Sequence, residues 1–257
     1  MKFLTALFFF TLFPVLAKAA VKTEVVEYKQ GDTVLEGFLA YDGSKRGKLP
    51  GVIIIHEWTG IGDYVKSRAK QLAEMGYVAF AADIYGKGVT AKDHAEAAKL
   101  AGIYKSDRRL MRARAQAAFD VLKARPQVNG SKIAAMGYCF GGTTALELAR
   151  SGAPLVGTIS FHGGLDTPKL EDAKNIKGKV LVLHGGDDSF VPEEQINTFK
   201  KEMRDAKVDW QLVMYGGAVH GFTVPTAGND PSSGMAYNAA ADKRSFEELK
   251  RFFGEIF

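Results

Sequence analysis

The sequence contains one cysteine, Cys139, and its neighbours are the residues a nucleophile needs. Gly137-Tyr138-Cys139-Phe140-Gly141-Gly142 reads G-x-C-x-G, the spacing that puts a reactive side chain on a sharp turn between a strand and a helix, with a thiol where serine is more usual. The glycines have a steric reason, because the turn brings backbone and helix too close for β-carbons. The helix that follows aims its N-terminus at the sulfur, which favours thiolate and offers free N–H groups to an oxyanion.

A thiol needs a base to ionise near neutral pH, and the base needs a carboxylate to fix its tautomer. Two later loops carry those types in the chain order nucleophile, acid, histidine. Gly185-Gly-Asp-Asp-Ser-Phe-Val-Pro192 offers Asp187 or Asp188, and Gly216-Gly-Ala-Val-His220-Gly-Phe222 offers His220. A fourth segment, His56-Glu57-Trp58-Thr59-Gly60, follows an apolar run in the position that supplies a second oxyanion donor. The N–H groups of Trp58 and Phe140 are expected to form that hole. Glu57 then lies near Cys139, where its charge opposes thiolate and keeps the thiol neutral until substrate arrives.

These loops need a scaffold of strands ending at one edge. Apolar or β-prone runs at 51–55, 77–82, 132–137, 155–160, 180–184 and 210–215 read as strands. Helical periodicity falls between them at 63–76, with Val65, Ala69, Leu72 and Ala73 on one face, and at 106–123, with Leu110, Ala113, Ala117 and Val121. Further helices are expected over 141–150 and 192–205 and within 232–253. Residues 23–29 and 34–41, split by Gly31-Asp32, read as an opening hairpin. The alternation predicts a doubly wound α/β domain: a mostly parallel, twisted sheet with helices on both faces.

With 46% hydrophobic and 25% charged residues, the chain has the composition of a folded globular domain rather than a disordered one. Its net charge of +5 is spread along the chain, with no basic run of the kind that binds nucleic acid. Met1-Lys2, an apolar stretch from Phe3 to Leu16 and Ala17-Lys18-Ala19 form a secretory signal with an A-x-A cleavage site, too short to span a bilayer. The expectation is a leader at 1–19, a single domain at 20–257, export to the periplasm or medium, and no membrane association after cleavage. With one thiol, no internal disulfide is possible.

These residues together resemble the dienelactone hydrolase family, a cysteine branch of the α/β hydrolases. The resemblance rests on Glu57, on Gly-Tyr-Cys-Phe-Gly-Gly at 137–142, on Asp-Ser-Phe-Val-Pro at 188–192, on His220-Gly-Phe222, and on the stretch Ala236 to Ser245. It implies the α/β-hydrolase fold and cleavage of an ester or lactone through Cys139, with Asp188 rather than Asp187 orienting His220. It also implies that Glu57 pairs with the thiol at rest and yields it when substrate displaces the carboxylate. The family's dienelactone-cleaving members have an arginine four residues after the histidine, where this chain has Val224. That difference and the leader favour a broader small-ester esterase. Alternatives are an acyltransferase or peptidase on the same scaffold, and a non-catalytic thiol sensor or binding protein.

Several residues carry weaker signals. His162 and His184 read as satisfied strand-end histidines, His94 as a surface residue of a polar helix, and His56 as either a pocket wall or a support behind Glu57. Asp83 and Tyr85 resemble a family loop near the site. Arg108, Arg109 and Arg112 read as a solvated helix face, and Trp210 as core. No metal-ligand spacing links the five histidines, so no metal or cofactor is expected.

Overall fold

The computed structural model describes residues 20–257; the expected leader lies outside the described residues. The chain forms one eight-stranded sheet in the order β1-β2-β4-β3-β5-β6-β7-β8. β1 (Val21–Gln30) and β2 (Thr33–Asp42) make the opening hairpin, turning through Gly31 at φ +55°. β2 joins β4 (Val78–Ala82) antiparallel. From there β3 (Leu49–Ile55), β5 (Val128–Tyr138), β6 (Gly157–Phe161), β7 (Lys179–Gly185) and β8 (Trp210–Tyr215) all run parallel.

The central strands are apolar on both faces because helices cover both. Val52 and Ile54 of β3 pack beneath α1 (Asp63–Glu74) and α6 (Ala239–Ile256), with Leu72, Phe252 and Phe253. Ile53 and Ile55 point the other way, toward α3 (Arg108–Lys123) and α4 (Phe140–Arg150), with Met111, Phe119 and Leu148. α2 (His94–Ser106) joins that layer, and α5 (Glu193–Asp205) closes a smaller cluster of Val182, Ile196, Phe199 and Met203. Each fully buried aliphatic side chain contributes about 1.5–3 kcal/mol.

The expected face of α1 is the buried one, but that of α3 is displaced by one residue. Met111, Ala115, Ala118 and Leu122 face the sheet, while Leu110, Ala113, Ala117 and Val121 sit at its margin. Arg108 is buried rather than solvated, paired with Asp166 at 2.6 Å, and Arg114 is buried too, with Thr33 Oγ1 accepting from it at 2.8 Å. Arg112 pairs with Glu147 and Asp172, and Arg109 alone of the three is solvated. The last helix begins within the expected stretch, at Ala239, where the Asn238 side chain caps it by accepting from Ala241 N–H, and runs past 253 to Ile256. Trp210 is half-buried, edge-on to Phe199.

Candidate active site

Parallel strands bring their carboxyl ends to one edge of the sheet, and the loops there hold the site. Glu57 and Trp58 follow β3, Cys139 follows β5, His162 follows β6, Asp188 follows β7 and His220 follows β8.

The turn at Cys139 is as tight as its glycines require. Cys139 sits at φ +54°, a strained conformation for a residue with a side chain. A β-carbon on Gly137 would lie 2.1 Å from the Gly141 carbonyl oxygen, and one on Gly141 would lie 2.1 Å from the Ile55 oxygen. Half-buried, the thiol stands at the N-terminus of α4.

His220 lies between the thiol and a carboxylate. Its Nδ1 is 2.9 Å from Asp188 Oδ2, and its ring borders the same two cavities as Cys139. Asp188 is buried and its second oxygen accepts from Phe190 N–H at 2.9 Å, whereas Asp187 is exposed. The sequence alone left two aspartates open; the structure brings Asp188 to His220. Burial pushes the Cys139 thiol up, but the adjacent imidazolium and its hydrogen bond outweigh that, and the net shift is downward. Burial likewise opposes the imidazolium, yet the thiolate and Asp188 push His220 up to about 10. The thiol and the imidazole thus each favour the charged form of the other and titrate as one coupled pair.

Glu57 differs from the resting arrangement that the resemblance implied. No hydrogen bond joins Glu57 to the thiol among the described residues, and its charge opposes thiolate. Burial raises the Glu57 carboxyl to about 7, partly offset by the positive charges of His220 and Arg68. Half-protonated near neutrality, it is a weak competitor for the thiol.

The Trp58 peptide is fixed from behind. His56 donates from Nδ1 to the Glu57 carbonyl at 2.6 Å while its Nε2 accepts from Ile84 N–H at 3.2 Å, so this histidine supports the loop. Tyr85 O–H donates to the Trp58 carbonyl at 2.9 Å, and Ala91 N–H to that of Thr59 at 3.0 Å. Asp83 in turn accepts from Tyr85, Gly86 and Glu36 N–H, which ties the Tyr85 loop to β2. Among the described residues no acceptor takes the Trp58 N–H.

Two cavities meet at the thiol. The larger, about 370 Å³, is lined by Phe140, Thr143, Phe190, Val191 and Met235, with Lys105 at its rim. The smaller, about 160 Å³, is bounded by Glu57, His94, His162, Val224 and Thr226. Trp58, His220 and Met235 border both. His94 is exposed as expected, but it also packs on the Trp58 ring at 5.3 Å and so edges the site. His162 is the satisfied strand-end histidine expected, its Nδ1 accepting from Cys139 N–H and its Nε2 bonding Thr223 Oγ1, and it also borders the smaller cavity. His184 is buried, but neither ring nitrogen has a hydrogen-bond partner among the described residues, so it is not the satisfied histidine expected. No group of three or more His, Cys, Asp or Glu among the described residues could hold a metal.

A mostly parallel α/β sheet carrying a thiol on its strand–turn–helix, with an acid and a histidine after later strands, defines the α/β-hydrolase class. The dienelactone hydrolase family's profile matches residues 35–257; the chain belongs to that family and is a carboxylic ester hydrolase. A dienelactone hydrolase-like promiscuous phosphotriesterase from metagenomic libraries is 44% identical, with a TM-score of 0.89 over 93% of this chain and 99% of that one. A solved protein called m3DLH is 42% identical, with a TM-score of 0.90 over the same shares. The Bradyrhizobium "Probable 2-oxo-3-(5-oxofuran-2-ylidene)propanoate lactonase" is 30% identical over 186 residues, 68% of this chain and 74% of that protein.

Proposed function

We propose that this enzyme hydrolyses small, uncharged carboxylic esters and lactones through a thioester on Cys139. The observation that carries this reading is the placement of His220, bonded to Asp188 through Nδ1 and bordering the same two cavities as Cys139. The sulfur attacks the carbonyl carbon, and the carbonyl π electrons move to oxygen, held by the N–H groups of Trp58 and Phe140. Collapse breaks the bond to the leaving alkoxide, which takes the proton from His220. Water then gives a proton to His220 and attacks the thioester, releasing the acid and restoring the thiolate.

The apolar walls of the larger cavity favour an acyl group without charge. Val224, buried where related dienelactone-cleaving enzymes resemble one another in having arginine, leaves the small cavity without a cation for a substrate carboxylate. A second reading, attack on the phosphorus of a neutral aryl dialkyl phosphate, draws on the relative that carries that activity in its description. We further propose that residues 1–19 are removed on export, so that the mature chain begins at Ala20, next to β1.

Turnover of p-nitrophenyl acetate to octanoate, a dienelactone and an aryl dialkyl phosphate tests the reading, beside Cys139→Ala. Support is short-ester turnover lost in Cys139→Ala, slow dienelactone cleavage, and an acyl group found on Cys139 by mass spectrometry. Ester turnover surviving in Cys139→Ala, or a reactive thiol that turns over nothing, refutes it. N-terminal sequencing of the exported protein tests the cleavage site; a chain starting at Met1 ends that proposal.

A further inference from the structure

Beneath the site, buried hydrogen bonds join the loop that carries Cys139 to the loop that carries His220, and His162 is the link between them. Cys139 N–H is shared between the Phe161 carbonyl at 3.0 Å and His162 Nδ1 at 3.2 Å. A backbone N–H only donates, so Nδ1 is the bare nitrogen and Nε2 carries the hydrogen. Nε2 stands 2.8 Å from Thr223 Oγ1, three residues after His220 in the same loop. Tyr64 O–H donates to that same oxygen at 2.7 Å, and Arg68 Nε–H donates to the Tyr64 oxygen at 3.2 Å. Arg68 also reaches the Thr223 carbonyl at 3.3 Å and pairs with Asp242 of α6 at 2.6 Å. Two lines of donors, one from Cys139 through His162 and one from Arg68 through Tyr64, thus converge on one hydroxyl.

The surroundings leave His162 little freedom. Its backbone is at φ +38°, so Cys139 and His162 are two strained residues joined by one hydrogen bond. A β-carbon on the next residue, Gly163, would lie 2.9 Å from Gly142 Cα, so the two turns meet backbone to backbone. The His162 ring stands edge-on to His220 at 5.3 Å and to Phe222 at 5.1 Å. Burial, and after it the charge of His220, keeps the ring neutral and so preserves the acceptor at Nδ1.

We propose that His162 is a positioning residue that sets the Cys139 sulfur against the His220 imidazole, with Thr223, Tyr64 and Arg68 holding it in place. It transfers no proton in the reaction; it fixes the distance across which one is transferred. This inference rests on the reading that Cys139 and His220 perform the chemistry.

The test measures kcat and KM for p-nitrophenyl acetate, and the rate of Cys139 alkylation by iodoacetamide, in variants whose folding is checked by thermal melts. Misplacing a reacting group by about 1 Å costs about 100-fold, so His162→Phe is expected to lose roughly that in kcat with KM within about twofold. Thr223→Val is expected to lose roughly tenfold, Tyr64→Phe about threefold, and Thr223→Ser less than about twofold because it keeps the hydroxyl. Residues acting as one unit are not additive, so His162→Phe with Thr223→Val is expected to be about as slow as His162→Phe alone. Alkylation is expected to slow in the same order.

Equal losses in Thr223→Val and Thr223→Ser, multiplying losses in the double variant, or full kcat in His162→Phe each overturn the proposal. So does a loss explained by the unfolded fraction alone. If His162→Phe does not fold, the Thr223 and Tyr64 series decides. If the wild type hydrolyses no ester, the function proposed above fails, while alkylation still reads the positioning: slower in Thr223→Val upholds it, unchanged refutes it.

Discussion

Helix α4 has a buried charged group at each end, and the two are finished in opposite ways. At its C-terminus Arg150, fully buried, uses its donors on Glu202 at 2.8 and 2.8 Å, on Glu147 at 3.0 Å and on the Leu165 carbonyl at 3.0 Å. Arg112 closes the other oxygen of Glu147 at 2.8 Å and adds Asp172 at 2.6 Å. At the N-terminus, Glu57 has no hydrogen-bonded side-chain partner among the described residues, the Trp58 N–H is open, and Cys139 is strained. The macrodipole suits both ends, cation at the C-terminus and thiolate at the N-terminus. At these two ends of one helix, the fully buried arginine is saturated with partners, whereas the half-buried groups of the candidate site retain unfilled hydrogen-bonding capacity.

The sharpest way to separate the two ends is Cys139→Ala. Ester hydrolysis is expected to fall by about 10⁴-fold or more, with little loss of stability. A melting curve displaced as far as that of an Arg150-cluster variant would make the thiol architectural after all. Next in size is Asp188→Asn, which leaves His220 free to take the wrong tautomer; kcat is expected to drop by roughly 10³- to 10⁴-fold with the fold intact. Undiminished kcat would remove Asp188 from the chemistry.

At the other end, Glu202→Leu leaves the Arg150 guanidinium short of its two-point partner. Urea unfolding is expected to show a loss of about 3–5 kcal/mol while kcat of the folded fraction stays within about twofold. A large change in kcat would couple the two ends of the helix. The smallest effect is at Glu57. Its carboxyl is ionised above about 7, where its charge holds the Cys139 thiol up. Glu57→Gln is therefore expected to speed alkylation of Cys139 by about two- to fivefold at pH 8 and to change nothing at pH 5. Slower alkylation at pH 8 would reverse the sign of that charge effect.

Much of this was legible in the sequence because local chemistry and tertiary demand agree there. Gly137, Cys139 and Gly141 announce a turn that their collisions with backbone make obligatory, and the apolar run of β3 is continuous because helices cover both its faces. The face of α3 was misread by one position, and its buried arginines are held by Asp166 and Thr33, which lie far away in the chain. Similarly, the raised Glu57 carboxyl depends on burial, offset by His220 and Arg68, and none of these is visible in a linear motif. Which groups satisfy His162 was hidden for the same reason: they come from the turn after β5 and from the loop after β8.

The order of the sheet also sets the order in which the site comes into being. β5, β6, β7 and β8 lie side by side in chain order, so the sheet grows toward one edge as the polypeptide is made. Ribosomes add about 5–20 residues per second, so Cys139 emerges on the order of ten seconds before His220. Throughout that interval the nascent chain carries a thiol with no base to ionise it. Arg68, already in α1, waits longer still for Asp242 of α6. On the proposed mechanism, nucleophilic power arrives only with β8 and α6, and an unfinished chain lacks it.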